Sequence, residues 1–283
     1  MSHTQTRRGS LSHKMARFFG ARFYCTNYIR TVDYDRVRLI EINRPSVRNA
    51  VNDTTAKELF TAFKDFEKNP ALSVGILAGN GGNFCSGYDL KELASKDEAP
   101  ALSSPFSVSS PAPMGPTRLC LSKPVIACLT GYAVAGGLEL ALWCDLRIAE
   151  SNVILGMFNR RFGVPLIDGG TVRLPALIGL SRALDLILTV REVAAKEAHD
   201  IGLVNQIVPV GKGLEEALKL AQQIASFPQD CLLHDRQSAM QASLGQANNL
   251  KFEYETAEGL IKDAVKGARK FSQGFGRSGK RIH

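Results

Sequence analysis

Twice in this chain a short apolar run ends in glycine and then turns into a helical pattern, and these two junctions constrain the fold most. The first run, Leu72 to Leu77, leads through a Gly/Asn loop into Asn83-Phe84-Cys85-Ser86-Gly87-Tyr88-Asp89-Leu90-Lys91. The second, Pro124 to Leu129, leads into Thr130-Gly131-Tyr132-Ala133-Val134-Ala135-Gly136-Gly137-Leu138-Glu139-Leu140. Buried strands running into helices are the pattern of an α/β fold. Each junction presents backbone N–H groups at a helix start, where the macrodipole also favours negative charge. Two such donors aimed at one point make an oxyanion hole, worth roughly 3–4 kcal/mol per donor. The same residues also suit two ordinary strand-to-helix turns, and spacing alone does not choose between them.

The flanking sequence extends the α/β pattern. Val37 to Ile42 alternates like a half-buried strand, and Thr54 to Lys68 carries Leu59, Phe60, Phe63 and Phe66 at helical spacing before Asn69-Pro70. Leu146 to Ala149 reads as a further strand. From Gly211 onward the pattern is helical, over Leu214 to Phe227, Cys231 to Ser243 and Gln246 to about Gly267. The Ser/Pro/Ala stretch from Ser95 to Pro116 has no periodicity and is expected to be a mobile surface loop.

Charge has to be located before it is interpreted. The 283 residues carry 35 Lys+Arg against 27 Asp+Glu, a net of +8 that invites a nucleic-acid reading. From Met1 to Val32 there is no acidic residue, while Arg7, Arg8, Lys14, Arg17, Arg22 and Arg30 fall there; without these six the net is +2. Arg-rich, Ser-bearing and acid-free is the composition of a mitochondrial transit peptide, so residues 1–32 are expected to be a leader addressed to the matrix. A basic tail without an address is the alternative. DNA is not expected as a partner, RNA binding is disfavoured, and no apolar run is long enough to span a membrane.

Several chemistries are set aside by their missing motifs. There is no phosphate loop, no G-x-S-x-G nucleophile elbow, and only a loose echo of the dinucleotide fingerprint. The six cysteines form no C-x-x-C pair, and the five histidines are scattered, so no metal site is expected. Cys85 has no histidine placed nearby to activate it.

The run F-C-S-G-Y-D-L-K, then K-P-V-I-A, then G-Y-A-V-A-G-G-L-E-L-A-L-W-C-D resembles the enoyl-CoA hydratase/isomerase (crotonase) superfamily, and N-R-P-S-V-R-N-A-V-N at Asn43 to Asn52 resembles its opening strand and turn. The similarity covers about residues 33–275. It implies a spiral of β-β-α units over residues 33–227, with a helical region over 228–283 that mediates homotrimers or hexamers. It also implies an acyl-CoA substrate, with coenzyme A entering as part of the substrate and no separate cofactor. The thioester carbonyl would be held by the backbone N–H groups of Tyr88 and Gly136. The CoA-contacting stretch falls on Tyr88, Asp89, Leu90 and Lys91, with Arg48 and Ala50 as neighbours. Lys91 suits a phosphate partner or a solvated helix position equally.

Hydratases of this superfamily use two glutamates to hold water and shuttle its protons. The first falls on Glu139; a carboxylate there is also a natural helix-dipole partner. The second falls on Asn159, which orients a water but exchanges no proton near neutral pH. Arg160 and Arg161 stay protonated and do not replace it. Asp168 lies within one residue of an aspartate that other superfamily members use, and it equally suits an N-cap for the following helix. The resemblance therefore implies an acyl-CoA enzyme working through an enolate, with ordinary hydration in doubt. Alternatives are dienoyl-CoA isomerisation, thioester hydrolysis, or a binding protein of this fold without turnover that engages RNA or protein.

Overall fold

The computed structural model describes residues 22–95, 110–244 and 261–274. In chain order the strands and helices are β1 (Arg22–Cys25), β2 (Ile29–Tyr34), β3 (Val37–Ile42), α1 (Asp53–Lys68), β4 (Val74–Gly79), α2 (Leu90–Ser95), β5 (Val125–Leu129) and β6 (Tyr132–Val134). They continue as α3 (Gly136–Trp143), β7 (Leu146–Glu150), β8 (Ile154–Gly156), α4 (Gly170–Ile178), α5 (Leu180–Thr189), β9 (Val193–Ala194) and α6 (Ala195–Asp200). The last are β10 (Gln206–Val208), α7 (Gly213–Ser226), α8 (Gln229–Leu244) and α9 (Ile261–Ser272).

Seven strands form one sheet in the order β1-β2-β3-β4-β5-β7-β10, antiparallel as far as β3 and parallel beyond it. A second sheet, β6-β8-β9, sets β6 parallel to β8. The repeat follows from these pairings. β5-β6-α3 and β7-β8-α4 are successive β-β-α units, with β5 paired to β7 and β6 to β8. An earlier unit is abbreviated: β4 leads to a single parallel bridge, Cys85 to Ala133, and then to α2.

Alternate residues of the parallel strands feed two cores. Ile40, Ile42, Leu77, Val125, Ala127 and Leu129 face the core that takes Leu59, Phe63 and Phe66 of α1. Val37, Leu39, Val74, Ile76, Ile126 and Cys128 face the other, which takes Ala217, Leu218 and Ala221 of α7. α1 begins where Asn52 accepts the Thr55 N–H at 2.9 Å, and it buries one face, on which Phe63 meets Trp143 edge-on at 4.8 Å.

Three expectations need correction. β3 is buried along its whole length, not half-buried, because α1 and α7 cover both faces. Its polar residues are buried with partners: Arg38 bonds Asp33 at 2.6 Å, and Glu41 lies 4.0 Å from Arg30. The segment assigned to the leader enters the sheet well before residue 33. β2 begins at Ile29 and pairs residue by residue with β3, so Arg22 and Arg30 belong to strands. The absence of acidic residues carried no information about pairing. The end of the supposed surface loop is also structural, since Ala112, Met114 and Pro116 are buried; residues 96–109 of that loop lie outside the described residues. So does the first part of the expected helix from Gln246, up to residue 260.

The C-terminal helix α9 is docked on α2. Val265 and Ala268 pack with Leu93, Leu90 and Tyr88, and Phe271 meets Phe162 edge-on at 5.1 Å. Their approach depends on Gly267, where an added Cβ would lie 1.8 Å from the carbonyl oxygen of Phe162. Gly267→Ala is expected to lift α9 and cost about 1–3 kcal/mol, seen as a lower Tm.

Candidate active site

Both glycine junctions converge at one place. Cys85 runs beside β6, its N–H donating to Tyr132 O at 2.9 Å and its carbonyl accepting from Val134 N at 3.1 Å. Two residues on, the opposite edge of the same segment is taken by Val51, which donates to Gly87 O at 2.9 Å and accepts from Asp89 N at 2.8 Å. With those groups turned toward Val51, the Tyr88 N–H faces the other edge, where α3 begins. Gly136 is the first residue of α3, a position whose N–H has no intrahelical acceptor. Gly87 has φ +97°, and a Cβ on it would lie 3.0 Å from Ala135 Cβ and 3.1 Å from Gly136 N. Glycine thus lets the two amides border one spot. The Met114 side chain closes it, its Sδ 2.7 Å from where a Gly136 Cβ would stand.

The carboxylates lie next to these amides. Glu139, in the first turn of α3, is 1% exposed. Its Oε1 accepts the Asp168 N–H and the Gly170 N–H, each at 3.0 Å, and its Oε2 accepts Asn159 Nδ2 at 3.3 Å. Glu139, Asn159 and Asp168, 29 residues apart at most, therefore form one buried cluster. Glu139 thus receives the first amide of α4, that of Gly170, where the N-cap, Gly169, has no side chain to cap the helix.

Asp168 does not cap α4, whose N-cap is Gly169. Its carboxylate turns the other way, and Oδ1 accepts Met114 N at 3.0 Å and Thr117 Oγ1 at 2.5 Å. Burial pushes the Asp168 carboxyl above the ordinary range, while the Thr117 and Met114 hydrogen bonds and the charges of Arg118 and Arg173 pull it back. Asn159 Oδ1 is buried without a hydrogen-bond partner among the described residues. Arg161 stacks on Phe158 at 3.6 Å and donates to Val190 O, away from Glu139.

The residues expected to meet CoA are divided. Arg48 lies over the Tyr132 ring at 4.9 Å, beside the junction, in a left-handed conformation with φ 51°. Lys91, in the first turn of α2, is itself exposed. Asp89 is engaged by Arg44 at 3.0 Å, and the same guanidinium donates to Ala50 O. Leu90 packs beneath α9. The Tyr88 hydroxyl bonds Asp53 Oδ1 at 2.6 Å; burial and the two nearby carboxylates, Asp53 and Glu92, push its ionisation up. Arg44, Met114, Thr117 and Arg173 were missed from the sequence. The first lies within the N-R-P turn, but nothing local marks the other three.

A spiral of β-β-α units with two backbone amides, those of Tyr88 and Gly136, beside buried carboxylates is an arrangement suited to acyl-transfer or enolate chemistry on an α/β scaffold. The family model described as enoyl-CoA hydratase/isomerase matches residues 33–272, and this chain belongs to that family. A probable enoyl-CoA hydratase of Rhizobium meliloti is 37% identical over 225 residues, covering 80% of this chain and 82% of its own length. A probable mitochondrial enoyl-CoA hydratase of Dictyostelium discoideum is 34% identical over 237 residues, covering 84% and 80%. The crystal structure of enoyl-CoA hydratase from Mycobacterium tuberculosis H37Rv superposes with a TM-score of 0.73 at 31% identity, covering 83% of this chain and all of that one.

Proposed function

We propose that this protein converts an unsaturated acyl-CoA through a thioester enolate, with Glu139 and Asp168 as its proton-transfer pair. The observation that supports this reading is the buried Glu139–Asn159–Asp168 cluster beside the Tyr88 and Gly136 amides. The thioester carbonyl lies between the two N–H groups, which stabilise negative charge on its oxygen and acidify the α-carbon. Glu139, fixed by three donors, accepts or returns a proton as a carboxylate. Asp168, whose burial favours the protonated form, serves as the partner acid. Asn159 offers Oδ1 to a water or substrate hydroxyl but carries no proton itself. This arrangement favours moving a proton between carbons over hydration by paired glutamates.

Arg48 and Lys91 are proposed to meet the nucleotide end of CoA, which enters with the substrate; no separate cofactor is required. Among the described residues no group of three His, Cys, Asp or Glu could hold a metal ion, and no helix is long and apolar enough to cross a membrane. Mitochondrial import is part of the same proposal, supported by the acid-free N-terminal sequence and by the mitochondrial name of the Dictyostelium relative.

The test is a panel of 2-enoyl, 3-enoyl, dienoyl and 3-hydroxyacyl thioesters, followed by absorbance and by α-proton exchange in D2O. Isomerisation or α-exchange with at least one of them is expected. Binding of all with turnover and exchange of none would overturn the proposal.

A homotrimer or hexamer is proposed on a separate observation. Leu180, Leu184 and Leu188 of α5, with Leu177 of α4, form an exposed apolar ridge; Leu188 is 71% exposed. Leu184→Glu combined with Leu188→Glu is expected to yield monomers in sedimentation velocity, where the wild-type chain sediments as an oligomer.

A further inference from the structure

Asp168 is held by a segment far away in sequence. The stretch from Ala112 to Arg118 passes over the start of α3 and turns two hydrogen-bond donors toward the Asp168 carboxylate. Met114 N and Thr117 Oγ1 both donate to Asp168 Oδ1. Arg173, one turn into α4, donates through Nη1 to Asp168 O at 2.9 Å and through Nη2 to Thr117 O at 2.7 Å. One guanidinium therefore ties the backbone on both sides of the Thr117–Asp168 hydrogen bond. Thr117, Asp168 and Arg173 are 0%, 3% and 4% exposed, so water does not replace these contacts.

We infer that Thr117, braced by Arg173, is a positioning residue that fixes the Asp168 carboxylate in one rotamer, with Oδ1 occupied and Oδ2 directed to the reacting atoms. The inference rests on the proton-transfer role given to Asp168 above and adds a residue to it. Two donors on one oxygen set the carboxylate plane, and they leave Oδ2 without a hydrogen bond from the described residues. A valine at 117 keeps the branched shape but donates nothing; the carboxylate then keeps one donor and can rotate about its terminal bond, where the barrier is low. Loss of preorganised geometry lowers the rate of the chemical step more than it weakens binding.

The same hydrogen bond affects the proton. A donor to a carboxylate favours the ionised form, so its removal raises the pH at which Asp168 ionises. The charged groups around it are Arg118 and Arg173, which favour ionisation, and Glu139, whose Oε1 accepts the Asp168 N–H. Thr117→Val leaves all three in place.

The test compares wild type, Thr117→Val, Thr117→Ser and Asp168→Asn as full-length protein. Infrared difference spectra across a pH series identify the Asp168 carboxyl band as the one lost in Asp168→Asn. Its titration midpoint is expected to move to higher pH in Thr117→Val and to return in Thr117→Ser. On the best thioester of the panel, Thr117→Val is expected to lose about tenfold in kcat with little change in KM, by loss of one buried hydrogen bond. An unshifted band in a folded Thr117→Val protein would overturn the positioning role. So would failure of Thr117→Ser to restore band and kcat, whether or not the valine variant folds. Full activity of Asp168→Asn would instead overturn the catalytic reading, and the infrared result would still report on the hydrogen bond.

Discussion

Glu139→Gln is expected to lower kcat on the best thioester by about 10³-fold, within the range for loss of a general acid–base group, or about 4 kcal/mol of transition-state stabilisation. The fold should survive the change. Glu139 Oε1 accepts the Asp168 amide and the first amide of α4, and the glutamine oxygen can keep both. The new amide nitrogen then takes the place of Oε2, opposite Asn159 Nδ2. A flip of the Asn159 side chain turns Oδ1 toward that nitrogen and restores the hydrogen bond, with Nδ2 taking the place that Oδ1 held. A Tm within a few degrees of wild type, with affinity for a saturated acyl-CoA retained, would place the loss in proton transfer. Activity within threefold of wild type would show that Glu139 is only a cross-helix cap for α4.

Asp168→Asn is expected to abolish turnover to a similar degree, about 10²–10³-fold, with the opposite effect on stability above mildly acidic pH. Burial raises the Asp168 carboxyl above its unfolded value. Between the unfolded and folded values the native state binds the proton more tightly than the unfolded chain, so the wild-type protein loses stability as pH rises through that window. Asparagine carries no charge, and its oxygen can still accept from Met114 N and Thr117 Oγ1. Denaturant midpoints measured from pH 4 to 8 are expected to show the wild-type decline and a variant without this component. Parallel curves would mean that Asp168 ionises at its unfolded value, which would remove the basis for calling it an acid at neutral pH.

Much of the scaffold was legible in the sequence. The runs at Val37, Pro124 and Leu146 and the helical spacing of Leu59, Phe60, Phe63 and Phe66 are local signals, and strands and a helix occupy those places. The shorter strands β6, β8, β9 and β10 were not visible, since two or three residues carry no period. β2 was hidden by a composition argument. Arg30 looked like a leader charge, yet it is buried on a strand near Glu41, and only pairing with β3 reveals that. Asp168 was ambiguous for a similar reason: an Asp before Gly-Gly-Thr has the composition of a cap. What its carboxylate bonds instead, Met114 N and Thr117 Oγ1, lies more than 50 residues away.

The sequence by itself determined the family, the glycine junctions and the identities Glu139, Asn159 and Asp168, because strand period, helix starts and motif spacing are properties of neighbouring residues. Tertiary structure alone decided how those residues work together. That Glu139 is anchored by the Asp168 and Gly170 amides, that Thr117 and Arg173 hold Asp168, and that α9 covers α2 depend on side chains crossing between β-β-α units. Such contacts are fixed by the turn of the spiral and by burial, which make an internal hydrogen bond the only one available to a carboxylate that water cannot reach.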